Sequence, residues 1–87
     1  MFKCTCCDAY TLPVPADSAL AFICPVCRWE NDVFIKSDDE QSDENRGLTL
    51  TQARQNYKDY GASRKDLIEL SRPPMPEEMQ IAERKKQ

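Results

Sequence analysis

Hydrophobic positions change their rhythm along this chain. Asp8-Ala-Tyr-Thr-Leu12 and Leu20-Ala-Phe-Ile23 are runs of strand length on either side of Leu12-Pro-Val-Pro-Ala-Asp17. Prolines and an aspartate favour turns, so these pieces predict a hairpin of two short strands. Val33-Phe-Ile35 predicts a third strand completing a small antiparallel sheet. Polar residues then take over, and the next apolar pattern is helical. Leu50, Ala53, Tyr57 and Tyr60 recur at i, i+3, i+7 and i+10, which is one face of a helix. Thr49 with Gln52 three residues on fits a capping box, and Gly61 stands where a left-handed C-cap is needed. The expected helix therefore covers 50–60. Its apolar face should lie on the sheet carrying Phe22 and Phe34, with Tyr57 and Tyr60 in the core. Ser63 and Asp66 are expected to cap a second short helix bearing Leu67, Ile68 and Leu70, which Arg72-Pro-Pro-Met-Pro76 ends.

Length limits what this pattern can build. The chain has 87 residues, enough for one small domain near the size at which disulfides or a metal supplement the core. Charged residues make up 31% and glycine occurs only twice, which excludes collagen-like and elastic sequences. No apolar run reaches the ~18 residues of a membrane span. Met-Phe-Lys-Cys4 is followed by no secretory apolar stretch and Arg-Lys-Lys-Gln87 is no lipidation box, so the expected location is cytoplasmic. Residues 30–44 carry seven acids (Glu30, Asp32, Asp38, Asp39, Glu40, Asp43, Glu44) against Lys36 alone, and residues 45–87 carry nine bases and six acids. The chain thus has a neutral head, an acidic waist and a mildly basic end. The formal charge of −3 argues against a general nucleic-acid binder. Histidine is absent, which removes every histidine-dependent catalytic or metal-binding arrangement.

The candidate chemistry lies in five cysteines. Cys4-Thr-Cys-Cys7 and Cys24-Pro-Val-Cys27 are two Cys-x2-Cys pairs separated by sixteen residues, the spacing of a four-thiolate zinc site. Two residues between thiols let both sulfurs point into one tetrahedral corner, and a second pair completes the tetrahedron. Pro25 favours the turn by fixing φ. Cys4, Cys7, Cys24 and Cys27 are the expected ligands of one Zn²⁺ per chain. Iron is the minor alternative, because thiolate spacing does not choose the metal, and two disulfides would need an oxidising compartment. Cys6 is left over. It reads as a small half-buried residue beside a ligand, with a reactive extra thiol as the competing reading.

Trp29, the single tryptophan, is expected to pack over the cysteines and keep water from them. Asp38-Asp-Glu-Gln-Ser-Asp-Glu44 reads as a solvated loop with no apolar anchor, and its carboxylates are candidates for binding a basic partner. It lacks the glycine and terminal glutamate of a calcium loop.

These pieces together resemble the cysteine-rich CPCC family of small bacterial proteins. The matching residues are Cys4-Thr-Cys-Cys7, Cys24-Pro-Val-Cys-Arg-Trp-Glu-Asn-Asp32, Leu50, Ala53-Arg54, Asn56-Tyr57, Gly61-Ala62 and Arg72-Pro-Pro74, across roughly residues 2–76. Thr5 departs from the proline of the family name, and Asp8 from the glycine that usually follows. Aspartate tolerates positive φ better than most residues. The resemblance implies a zinc-bound, stand-alone fold, and partner inhibition such as toxin immunity is a class of function that suits such proteins.

The expected fold class is small α+β: a zinc-ribbon-like antiparallel hairpin or three-stranded sheet, then one or two short α-helices. Residues 1–76 form one domain, divided into a four-cysteine ribbon (1–36), an acidic loop (37–47) and a helical half (48–76), and 77–87 form a charged tail. The expected function is that of a non-enzymatic zinc-binding interaction module. Asp38, Asp39, Glu40, Asp43 and Glu44 would grip a basic protein, such as a bacterial toxin that the chain inhibits. A nucleic-acid-binding ribbon using Arg64, Lys65, Arg72 and Arg84-Lys-Lys86 is the second reading. A redox or metal-handling protein using Cys6 is the third.

Overall fold

The computed structural model describes residues 1–79. Its N-terminal half consists of two cysteine loops closed by the same hydrogen bonds. In the first, Cys4 N–H donates to Ala9 O at 2.8 Å and Asp8 N–H to Cys4 O at 3.0 Å. In the second, Cys24 N–H donates to Trp29 O at 3.0 Å and Arg28 N–H to Cys24 O at 2.8 Å. The residue after each second cysteine must turn left-handed for this closure, and Asp8 and Arg28 do so at φ 67° and 68°. Aspartate accepts that conformation readily. Arg28 is additionally held by its Nε, which donates to Leu70 O at 2.8 Å.

Each loop pairs with itself. Strand β1 (Phe2–Lys3) runs antiparallel to β2 (Tyr10–Leu12) across the first loop. Ile23 bridges Glu30 across the second, extended by Asn31 N–H to Phe22 O at 2.8 Å. The hairpin expected between 8–12 and 20–23 therefore does not form. Lys3 with Tyr10 and Ile23 with Glu30 instead pair across their own cysteine turns, which the left-handed Asp8 and Arg28 fold back on themselves. The sheet has two strands among the described residues, not three. Val33-Phe-Ile35 lies outside any strand, because Asp32 Oδ1 accepts the Phe34 N–H at 2.9 Å and turns the chain there. Phe34 is left 70% exposed.

Helix α1 (Leu50–Tyr60) has the predicted ends. Thr49 Oγ1 accepts from Gln52 N–H at 3.1 Å, Gln52 Oε1 accepts from Thr49 N–H at 3.0 Å, and Gly61 closes the other end at φ 76°. Its buried face rests elsewhere than expected. Leu50 and Ala53 pack into a cluster of Cys4, Cys6, Ala9, Cys24, Val26, Cys27 and Trp29, and Tyr57 lies partly buried against it. With a two-stranded sheet this short, the cysteine loops and the indole are the apolar surface on offer. Phe22 is half-buried and Phe34 exposed, so neither forms a platform. Tyr60 is 41% exposed, a correction to its expected place in the core. It ends the helix beyond the cluster, with Lys65 Nζ 5.5 Å from its ring centroid.

The second helix is a 3-10 turn, Lys65–Leu70, with no side-chain cap. Neither expected cap engages the turn: the Ser63 hydroxyl is buried with no hydrogen-bond partner among the described residues while its N–H donates to Cys27 O at 2.7 Å, and Asp66 pairs with Arg64 at 2.9 Å. Arg72 N–H then donates to Val26 O at 3.1 Å, so with the Arg28 bond to Leu70 O this segment is stitched to the second cysteine loop at three points. A further 3-10 turn, Pro76–Glu78, packs on β2. Glu78 receives the Arg72 guanidinium at 2.8 and 2.9 Å. The chain is thus a small α+β fold with one α-helix and 3-10 turns. The expected tail at 77–87 begins inside this packed segment, and its remainder, 80–87, lies outside the described residues.

Two mutations separate the local and tertiary contributions to α1. Thr49→Ala should cost about 1 kcal/mol by removing the capping box, whereas Leu50→Ala should cost about 2–5 kcal/mol by emptying a buried site. Urea denaturation of both variants measures the difference, and equal costs would show that the helix does not depend on the cysteine cluster. The Arg72 guanidinium holds the Glu78 carboxyl below its ordinary value of 4.5. A depressed folded-state value stabilises above the unfolded one, so this contribution is complete above about pH 4.5 and is lost as pH falls through the lower folded value. Glu78→Gln should remove that segment of the pH–stability curve and leave the neutral-to-alkaline part parallel to wild type.

Candidate metal centre

The two loops face each other through sulfur. Cys4, Cys7, Cys24 and Cys27 bring their Sγ atoms within 4.8 Å of one another. Cys4 Sγ lies 3.7 Å from Cys27 Sγ, and Cys7 Sγ 3.8 Å from Cys24 Sγ. A disulfide needs about 2.05 Å, so these are free cysteines. Four sulfurs each about 2.3 Å from a central ion stand roughly 3.8 Å apart at the tetrahedral edge. The spacing is that of a metal tetrahedron.

Burial and protonation point the same way. Cys24 and Cys27 are 0% exposed, Cys4 is buried and Cys7 half-buried. Crowded thiols oppose one another's ionisation. The hydrogen bond with Cys27 pulls Cys24 toward the thiolate, and the bond with Cys24 pushes Cys27 toward the protonated form. A divalent cation replaces the retained protons with one central charge, and four thiolates are the soft donor set that tetrahedral ions accept. The residues fit a metal ion.

The second layer contains residues that spacing alone does not identify. Thr11, buried in β2, sets its Oγ1 3.2 Å from Cys24 Sγ, and Trp29 N–H donates to Cys27 Sγ at 3.4 Å. Trp29 is buried in the cluster, as expected. Tyr57 leans on it too: burial, then the charge of Cys7, push its hydroxyl up to about 12. Cys6 is 6% exposed, within the core but outside the set of four.

The acidic waist is more ordered than expected. Ser42 and Asn45 anchor it from inside, both buried. Asn45 Oδ1 accepts Glu30 N–H at 2.9 Å while its Nδ2 donates to Glu30 O at 2.8 Å, so one side chain replaces a strand partner. Ser42 Oγ donates to Asp32 Oδ2 at 2.7 Å. Of the five candidate binding carboxylates, three serve the fold. Asp38 receives Arg54 at 2.6 Å, Asp39 the Thr51 hydroxyl at 3.1 Å, and Glu40 the Lys36 N–H at 2.8 Å. Asp43 and Glu44 are exposed on a 3-10 turn. Burial and then a hydrogen bond with Glu44 push the Glu30 carboxyl up. Asparagine and serine inside an acidic run were the signal that it has an interior, since such side chains pair with backbone.

A small α+β chain folded around four converging cysteines is thereby defined. The family described as Cysteine-rich CPCC matches residues 2–78, and the chain belongs to that family. Comparison with curated proteins and with solved structures finds no match. No helix among the described residues is long and apolar enough to cross a membrane.

Cys24→Ser should abolish metal uptake and unfold both loops, whereas Cys6→Ser should keep one metal per chain, read by elemental analysis of the purified variants. Equal loss in both would move Cys6 into the ligand set. Because thiols must lose protons to bind a metal, affinity should fall as pH is lowered, and acidification in the presence of a chelating dye should release the ion.

Proposed function

We propose that the protein is a non-enzymatic, zinc-stabilised interaction module that binds a basic protein partner. In this reading it acts as an inhibitor or immunity protein, for example against a bacterial toxin with a basic active groove. The observation that carries it is the closed sulfur centre. Four cysteines from two loops complete a tetrahedron by themselves, and a site so filled serves structure, since a catalytic metal keeps a position for substrate or water. Zinc suits it as an ion that prefers tetrahedral thiolates and undergoes no redox change. One zinc per chain is the expected stoichiometry, and iron found in its place would revise the metal without moving the ligands.

The acidic waist supplies the binding surface in this proposal. Asp43 and Glu44 project from a segment held by Ser42 and Asn45, so their charge is presented with little freedom left to lose. Complementary charge speeds encounter. The nucleic-acid reading has less support, because the Arg64 and Arg72 guanidiniums already pair with Asp66 and Glu78. Arg84, Lys85 and Lys86 lie outside the described residues. The redox reading would need access to Cys6, which is buried.

The test begins with affinity capture of the partner from native lysate and continues with association kinetics against ionic strength. Asp43→Asn combined with Glu44→Gln should leave thermal stability near wild type and slow association by about tenfold at low salt, with a flatter salt slope. Changing Asp38, Asp39 and Glu40 as well should release the waist from Arg54, Thr51 and Lys36 at little cost to thermal stability. Identical rates and slopes for the double variant and wild type would remove the waist from the binding surface.

A further inference from the structure

The two sides of the sulfur cluster are protected unequally. On one side, Cys24 meets the Thr11 hydroxyl at 3.2 Å and Cys27 accepts the Trp29 N–H at 3.4 Å, with both sulfurs fully buried. A metal-bound thiolate carries no proton, so Thr11 is then necessarily the donor to Cys24. Such donors withdraw charge from sulfur, and that makes it a poorer nucleophile. On the other side, the Sγ atoms of Cys4 and Cys7 have only sulfur neighbours as hydrogen-bond partners among the described residues. Cys4 is nevertheless sealed at 2% exposed, whereas Cys7 is the half-buried member of the four. Charge and access therefore coincide at Cys7 alone.

We infer that Cys7 is the thiolate at which the loaded metal centre reacts with electrophiles, and that Thr11 is the positioning residue that withholds Cys24 from the same chemistry. This rests on the metal-binding reading given above. With an alkyl halide the step is a displacement. The Cys7 sulfur lone pair forms the S–C bond, the C–I pair leaves as iodide, and the resulting thioether is a neutral, weaker ligand. The centre would then open from the first loop while the second still holds the ion.

Cobalt(II) and iodoacetamide test this in full-length Cys6→Ser protein, which removes the spare thiol from the mapping. Tetrahedral thiolate absorption after cobalt loading establishes the centre. Less than one equivalent of iodoacetamide should then modify Cys7 ahead of the other three, read by peptide mass mapping. Thr11→Val should keep the absorption but shift its sulfur-to-metal charge-transfer band to lower energy. It should also raise the alkylation rate of Cys24 by about tenfold, the scale of one hydrogen bond to a charged group. Thr11→Ser, which retains the hydroxyl, should behave as wild type, and a comparison of Ser with wild type stands if the valine variant does not fold. Modification of Cys4, Cys24 or Cys27 first, or of all four equally, overturns the assignment of Cys7. An unmoved band and Cys24 rate in Thr11→Val, or a Thr11→Ser that departs from wild type, overturns that of Thr11. Failure to take up cobalt overturns the metal reading itself, and this inference with it.

Discussion

Four sulfurs converging from two loops are the constraint on which the rest of this fold depends. The buried cluster is made largely of cysteine, alanine and one tryptophan, with Leu50 and Val26 as its aliphatic members. That is little apolar material for a chain of 87 residues, and small domains of this kind are supplemented by metals or disulfides. The two loops share one hydrogen-bonding scheme but pair only within themselves. What joins them is side chains, sulfur to sulfur and the Thr11 hydroxyl to Cys24, with Leu50 and Ala53 of α1 laid across the join. An ion at that point ties the ends of a long loop, where a cross-link removes the most chain entropy. The later segments then build on the second loop through the carbonyls of Val26 and Cys27.

The acidic waist follows from the same economy of apolar residues. A run so rich in carboxylates has no hydrophobic reason to fold, and it is ordered by hydrogen bonds instead. Asn45 completes the backbone pairing of Glu30, and Arg54 reaches from α1 to both Asp38 and Thr5 O, at 2.6 and 2.9 Å. Arg54 thereby connects the waist, the helix and the first cysteine loop in one contact set. The position where the family name carries proline holds Thr5 here, and what Arg54 reads at that residue is backbone, which proline also supplies. Exposed ion pairs add little stability by themselves. Their value here is geometric, since they fix where the remaining charges of the waist point and so reduce the ordering cost of any association.

Legibility in the sequence tracked the range of the interaction. Helix α1 was readable to the residue at both ends because a capping box and a glycine C-cap are local chemistry. The four cysteines were readable because the two-residue spacing within each pair is set by the metal tetrahedron itself. Strand pairing was not. Leu20-Ala-Phe-Ile23 and Val33-Phe-Ile35 have strand-like composition, but composition does not choose a partner: the left-handed turns at Asp8 and Arg28 fold each arm onto its own cysteine loop, and turn chemistry at Asp32 took the second run out of the sheet. Tyr60 kept the helical period of the core face yet fell beyond the small cluster that the face covers. Periodicity reports a direction around the helix, while burial also requires that something lie opposite.

The buried polar residues escape both kinds of pattern, and they carry much of the specificity. Thr11, Asn31, Ser42 and Asn45 are all buried, and each pairs with a distant part of the chain. Asn31 Nδ2, for example, reaches both Ala16 O at 2.7 Å and Ala19 O at 2.9 Å and so shapes the link between the cysteine pairs. A buried polar group left without its partner is costly. Each of these side chains therefore penalises any register in which its partner is displaced, which a core of alanine and sulfur could not do by shape alone. Thr11 adds a second consequence, because its partner is a sulfur of the centre. The residue that fixes the register of β2 against the second loop is also the one that sets the charge on Cys24. Folding and sulfur chemistry are coupled through that one hydroxyl.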